Sequence, residues 1–142
     1  MILMINTSQD IYQFGLYWPD IRFKKFAAKR DEKKDALFLI DKFLSHHQKS
    51  ARDLKAIAVY NGPGSYTGVR VGVTIANALS FSLNIPVFGF KHKITSDKLV
   101  KEILKKLQNH QFKMGEYIKI KYLKKNEARL PRLSKKNTKY KN

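Results

Sequence analysis

The residues best placed for chemistry are Asn61-Gly62-Pro63-Gly64-Ser65, which end a short β-rich run and stand directly ahead of a long apolar stretch. Glycines that lead straight into a helix put flexible backbone and free amides at the helix N-terminus, where an anion is favoured. Cradling a phosphate is one reading of such a loop. A tight structural turn is the other, because no Lys-Ser or Lys-Thr follows the glycines and the three-glycine spacing of a dinucleotide fingerprint is not met. The motif residues are Gly62, Pro63, Gly64, Ser65, Thr67 and Gly68; Ser65 reads as the helix cap, with Thr67 as the alternative.

Other catalytic chemistry finds little material. Gly64-Ser65-Tyr66 is not a Gly-x-Ser-x-Gly elbow, and no Ser-His-acid set is recognisable. His46 and His47 are adjacent and leave a helix in different directions, while His92 and His110 stand alone, so no His-x-x-x-His pair can grip a metal; they read as solvated surface groups. The carboxylates Asp10, Asp20, Asp31, Glu32, Asp35, Asp41 and Asp53 fall at turns or in charged stretches, with no paired acid and base. The chain has no cysteine, which excludes disulfides, thiolate metal sites and cysteine catalysis. No catalytic residue, cofactor or metal is assigned.

The elements that must position the loop follow from periodicity. Ile2–Asn6 is a buried apolar run, and Ile11–Tyr17 and Ile21–Ala27 alternate in the manner of strands, separated by turn-like Thr7–Asp10 and Trp18–Asp20. Three consecutive strands with short breaks predict an antiparallel meander. Asp35 caps a predicted helix to about Gln48, with Leu37, Ile40, Phe43 and Leu44 at helical spacing. Ala56–Tyr60, the glycine loop, a helix from about Thr67 to Leu83 and the strand Ile85–Phe90 then form a βαβ unit, so two parallel strands join the meander in a mixed sheet. Leu99, Val100, Ile103, Leu104 and Leu107 predict an amphipathic helix within 95–109, and Tyr117–Leu123 reads as one more strand.

Within the helix after the loop, Gly68, Gly72, Ala76 and Ser80 recur every four residues as a ridge of small side chains. Each glycine inside a helix costs about 1 kcal/mol relative to alanine, so the ridge implies close approach of another backbone. Val69, Val71, Val73, Ile75, Leu79, Phe81 and Leu83 surround it, and Arg70 is the only charge. A helix apolar all round needs cover on both sides. Either the two helices cover each other, or they present a partner surface, for which Leu37, Ile40, Leu44, Val69, Arg70, Gly72, Val73, Ala76 and Ser80 are the candidate contacts. On the second reading, a bulky charge at Gly72 or Ala76 would break a complex and leave the monomer folded.

The 142 residues fit one domain, and the 43% apolar content suffices for one core. No apolar run approaches the roughly 20 residues of a membrane span, and Met1–Ile5 has neither a basic start nor a cleavage site, so a cytoplasmic protein is expected. The net charge of +18 lies mostly beyond residue 90, where 17 Lys and Arg face 4 acids. Such an excess points to a polyanion or to lysine-rich codon usage. Residues 124–142, with eight basic side chains and one Glu, are expected to be a flexible tail, whose Lys124, Lys125, Arg129, Arg132, Lys135 and Lys136 are candidate RNA contacts.

Gly62 to Gly72, read as GPGSYTGVRVG, followed by Ala76, Leu79 and Ile85-Pro86-Val87, resembles the signature of the TsaB (YeaZ) family, and Met4–Ser8 is similar to that family's opening strand and turn. The resemblance covers roughly residues 1–90 as a ribonuclease-H-like domain, leaving 91–123 to add a helix and a strand. It implies an actin-like, ribonuclease-H-like mixed five-stranded sheet, three antiparallel strands first and parallel strands after. It also implies a non-catalytic subunit of tRNA threonylcarbamoyladenosine biosynthesis, associated with a TsaD-like catalytic subunit and a TsaE-like ATPase through the helices at 35–48 and 67–83, a surface that also supports homodimers. Where family members carry an acid in the opening turn this chain has Asn6, which weakens an enzymatic reading. Members are also longer, so the second subdomain and the nucleotide cleft beside it are not expected to be completed here. The competing functions are an RNA-binding module and a nucleotide-hydrolysing or protease-like enzyme.

Overall fold

The computed structural model describes residues 1–18, 22–31, 34–64, 66–91 and 97–121, and of Arg22, Phe23 and Tyr66 the backbone alone. Its elements are β1 (Ile2–Asn6), β2 (Ile11–Trp18), β3 (Arg22–Lys29), α1 (Ala36–His46), β4 (Ala56–Tyr60), α2 (Tyr66–Leu83), β5 (Val87–Phe90) and α3 (Asp97–Gln108), with a 3-10 turn at Ala51–Asp53. The sheet order is β3-β2-β1-β4-β5. β1 pairs antiparallel with β2 and parallel with β4, β2 pairs antiparallel with β3, and β4 pairs parallel with β5. This is the mixed five-stranded sheet expected from the pattern of short breaks followed by a crossover helix.

Alternation along the central strands sorts the core into two layers. Leu3 and Ile5 of β1 and Ile57 and Val59 of β4 face α1 and α2, together with Phe14 and Leu16 of β2. Ile2, Met4, Ala56 and Ala58 face the other way, where Leu99, Val100 and Ile103 of α3 pack with Phe88 and Phe90. A side-chain period of two forces this division, since successive residues point to opposite faces. Both central strands are therefore apolar at every position from 2 to 5 and from 56 to 59, as strands covered on both faces must be.

Local chemistry sets the helix ends. Asp35 Oδ1 accepts from the Phe38 amide at 2.8 Å and starts α1. The helix stops at His46, two residues before the expected end, where Gln48 turns to a φ of 58° and the 47–49 amides fold back on the carbonyls of Leu44 and Ser45. β5 begins at Val87 instead of Ile85. Pro86 has no N–H for a ladder and contributes only its carbonyl, which accepts from Ile57. Residues 117–121 form no strand, for reasons seen at the glycine loop; 122 and 123 lie outside the described residues, as do 92–96, where the start of the third helix was expected.

Candidate functional site

The loop and its helix sit where β1 and β4 both end. The Thr7 hydroxyl, buried in the turn after β1, donates to the Gly68 carbonyl at 2.6 Å and ties α2 to the sheet. Asn6 folds on its own turn: its Oδ1 accepts from the Ser8 amide at 3.0 Å and the Ser8 hydroxyl at 2.7 Å. Tyr60 donates its phenolic O–H to the Pro63 carbonyl. A Cβ on Gly64 would come within 3.0 Å of Val69 Cγ2 and 3.2 Å of Ser8 Cβ. The glycines here let the loop lie flat on its neighbours. Gly62, at a φ of 106°, presses its Cα side against the backbone of Lys121. Ser65 lies outside the described residues, and Thr67, the alternative cap, lies inside α2.

Two asparagines hold the segment 117–121 over this loop. Asn77 Nδ2 donates to the Ile118 carbonyl at 3.0 Å while its Oδ1 accepts from the Ile118 amide at 2.9 Å, so one side chain supplies both halves of a strand pairing. Asn61 Nδ2 donates to the Lys119 carbonyl at 3.0 Å, and the Asn61 carbonyl accepts from the Lys121 amide at 2.7 Å. A ladder to a neighbouring strand is replaced by side-chain amides. Periodicity reveals no such partner, because the hydrogen bonds from Asn77 cross 41 residues.

The small ridge of α2 faces its own sheet, which corrects the expected partner surface. A Cβ on Gly72 would lie 2.6 Å from Thr7 Oγ1, 3.3 Å from Ile5 Cγ2 and 3.5 Å from Val59 Cγ2. Val69, Val73, Ala76 and Ser80 are buried on the same side, and Ile40 and Leu44 of α1 are buried with them. Burying a valine is worth about 1.5–3 kcal/mol, so two valines offset two helical glycines at roughly 1 kcal/mol each. The close neighbour is the sheet. Of the candidate contacts, Leu37 and Arg70 are exposed; Ile40, Leu44, Val69, Gly72, Val73, Ala76 and Ser80 belong to the core.

What α2 turns outward is a different stripe: Thr67, Arg70, Thr74, Ala78 and Phe81, flanked by half-buried Val71, Ile75 and Leu79. Phe81 is 74% exposed, and on α1 Leu37 and Phe38 are 50% and 43% exposed. Five positions spaced by three and four residues carry one charge between them. The face could have been read from the sequence by letting Arg70 mark the solvent side and counting along the helix to Phe81.

Among the described residues no group of three or more His, Cys, Asp and Glu side chains could hold a metal ion, and no helix is long and apolar enough to cross a membrane. Every buried side-chain nitrogen and oxygen among them has a hydrogen-bond partner. Lys124, Lys125, Arg129, Arg132, Lys135 and Lys136 lie outside the described residues.

Comparison with known proteins decides the family. The TsaD family, described as tRNA N6-adenosine threonylcarbamoyltransferase, matches residues 26–96, half of the chain. The tRNA threonylcarbamoyladenosine biosynthesis protein TsaB of Bacillus subtilis (strain 168) is 36% identical over 88 residues, and the protein of that name from Haemophilus influenzae is 42% identical over 87. The chain belongs to this family, on its TsaB (YeaZ) branch.

The TsaB alignments take in 61% of this chain and 38% and 37% of the two relatives, so the chain spans about two fifths of the length of the relatives it matches. YeaZ from Pseudomonas aeruginosa superposes with a TM-score of 0.58 at 24% identity, over 63% of this chain and 42% of that one. The shared fold is the ribonuclease-H-like, actin-like sheet. Against that family background the TsaB-type loop from Gly62 to Gly72 has a structural role visible in this chain: it seats α2 on the ends of β1 and β4.

Proposed function

We propose that this chain is a non-catalytic subunit that docks on a TsaD-like threonylcarbamoyltransferase and supports threonylcarbamoyladenosine modification of tRNA, in an assembly that includes a TsaE-like ATPase. The observation that carries the reading is the outward face of α2, apolar or neutral except for Arg70 and ending in a phenylalanine 74% exposed. The exposed Phe81 ring, beside half-buried Val71, Ile75 and Leu79, offers a protein partner apolar surface to cover. The names of the relatives support the pathway, and the absence of an acid at position 6, where Asn6 instead braces its own turn, supports a role without catalysis.

Homodimerisation through the same two helices is the second reading, favoured by exposed Leu37 and Phe38 of α1 and Phe81 of α2. Co-expression with the TsaD-like protein of the same genome separates the two. Co-purification as a hetero-complex, with tRNA modification lost when this chain is left out, is the expected result. Self-association that persists to the exclusion of the TsaD-like protein would reject the first reading.

A further inference from the structure

Between the edge strand β3 and the C-terminal half of α1 lies an open cleft of about 700 Å³ that the docking face does not use. Lys24, Lys42, His46, His47, Phe26 and Phe43 line it, and among the described residues no carboxylate does. Lys24 pairs in register with Leu16, whose side chain is in the core beneath α1, so Lys24 shares the face of the sheet that carries the cleft. The aromatic rings form a connected run: Phe26 lies 5.5 Å from Phe43, Phe43 lies 5.4 Å from His47, and His47 lies 5.6 Å from Trp18. Lys49 holds its ammonium 5.7 Å above the Trp18 ring. Trp18, His47 and Phe26 are half-buried and His46 is exposed, so several rings show a surface to solvent.

We propose that this cleft, with the Trp18 ring and Lys49 adjoining it at His47, binds single-stranded RNA, with Lys24, Lys42 and Lys49 on its phosphates and an unstacked base on Trp18. Cations along a groove with stackable rings between them are the pairing that single strands require: phosphates meet lysines while bases spread over aromatic faces. A bare anion would use the lysines and leave the rings idle. A membrane surface would call for protruding apolar side chains, whereas Phe43 is buried here and Phe26 only partly shown. Lys49 marks the place a base would take, since the ammonium over the indole is free to move to a phosphate as the base replaces it. At His47 burial, then His46 and Lys24, hold the pKa below the ordinary histidine range, while Asp53 lies within electrostatic reach of Lys49. The choice of RNA over DNA rests on the tRNA role proposed above; the affinity for a phosphate-bearing strand with stackable bases does not.

Trp18 is the only tryptophan of the chain, and its ring lies 5.6 Å from that of the lining residue His47, so its fluorescence reports on the His47 end of the cleft. The full chain is titrated with a ten-nucleotide oligouridylate, and saturable quenching of Trp18 is expected, with log affinity falling against log salt by about 0.7 per phosphate engaged. Lys24→Gln with Lys42→Gln should weaken binding several-fold and reduce that slope by about 1.4, the basic residues beyond 121 being unchanged. Binding of labelled oligouridylate with unaltered Trp18 emission and an unaltered slope in the double variant would place the RNA elsewhere and overturn the proposal. Equal quenching by inorganic phosphate at matched phosphate concentration, or a response to phosphatidylserine vesicles without one to RNA, would overturn it too. Oligothymidylate binding as tightly as oligouridylate would support the cleft as a strand-binding site and count against its link to tRNA.

Discussion

The Thr7 hydroxyl lies where a Cβ on Gly72 would have to go, 2.6 Å away, and it is pinned there by its 2.6 Å hydrogen bond to the Gly68 carbonyl. One threonine in a turn after β1 thus meets two glycines one helical turn apart on α2. Replacing Gly72 by alanine would gain about 1 kcal/mol of helix propensity and lose about 1–3 kcal/mol to overpacking, for a net destabilisation. Thr7→Ala should cost about 1 kcal/mol by itself, and the two changes together should cost less than their sum. A double-mutant cycle in urea measures this, and strict additivity would show that the two side chains do not compete for the same space.

Phe81→Glu and Ala76→Glu should fail in different ways. Phe81 is on the outer face, so its substitution should leave stability within about 0.5 kcal/mol and abolish co-purification with the TsaD-like protein. Ala76 is fully buried, and an unpaired carboxylate there should cost on the order of 3–5 kcal/mol and unfold the monomer. Thermal denaturation beside pull-down distinguishes loss of docking from loss of fold; a Phe81→Glu protein that still co-purifies would remove the docking face.

The segment 117–121 should come loose when Asn77 is changed. Asn77→Ala removes both bonds to Ile118 and should speed exchange of the Ile118 amide, with a loss of about 1–2 kcal/mol in global stability at most. Asn77→Asp keeps an acceptor for the Ile118 amide and has no donor for its carbonyl, so it should fall between. Hydrogen exchange read by mass spectrometry over 112–121 gives the order directly.

Stability should decline on acidification through His47. Its pKa in the folded chain is lowered from 6.5 by burial, His46 and Lys24, so below pH 6.5 the unfolded state takes up the proton more readily than the folded one. The stabilisation is fully present above pH 6.5 and is lost as pH falls through the lower folded value. Urea midpoints between pH 7 and pH 5 should fall less steeply for His47→Gln than for the unsubstituted chain; parallel slopes would show that His47 is not the group titrating.

Much of the architecture was legible because a period of two or of three to four is imposed by the backbone itself. Ile2–Asn6 and Ala56–Tyr60 were found to the residue, and Asp35 was recognisable as a cap by its type and place. The small ridge of α2 was legible as a demand for a close neighbour, while its identity was not: spacing reports that something is near and is silent on whether a sheet or another protein supplies it. Nor did anything local disclose the joining of Trp18 to His47, or of Asn77 to Ile118. Those contacts depend on how the chain closes on itself over tens of residues. The histidine at 47, expected to be solvated, is half-buried against Phe43 and Trp18 for the same reason.

The strand at the middle of the sheet is also the first of the five to leave a ribosome. β1 can pair with β2 as soon as residue 18 has emerged, yet its other edge stays open until β4 arrives at residues 56–60. During that interval a newborn chain carries a three-stranded meander with one unpaired apolar border, the kind of edge that recruits another chain or a chaperone. Slowing synthesis between codons 30 and 55 should therefore raise aggregation of this protein more than slowing it after codon 60.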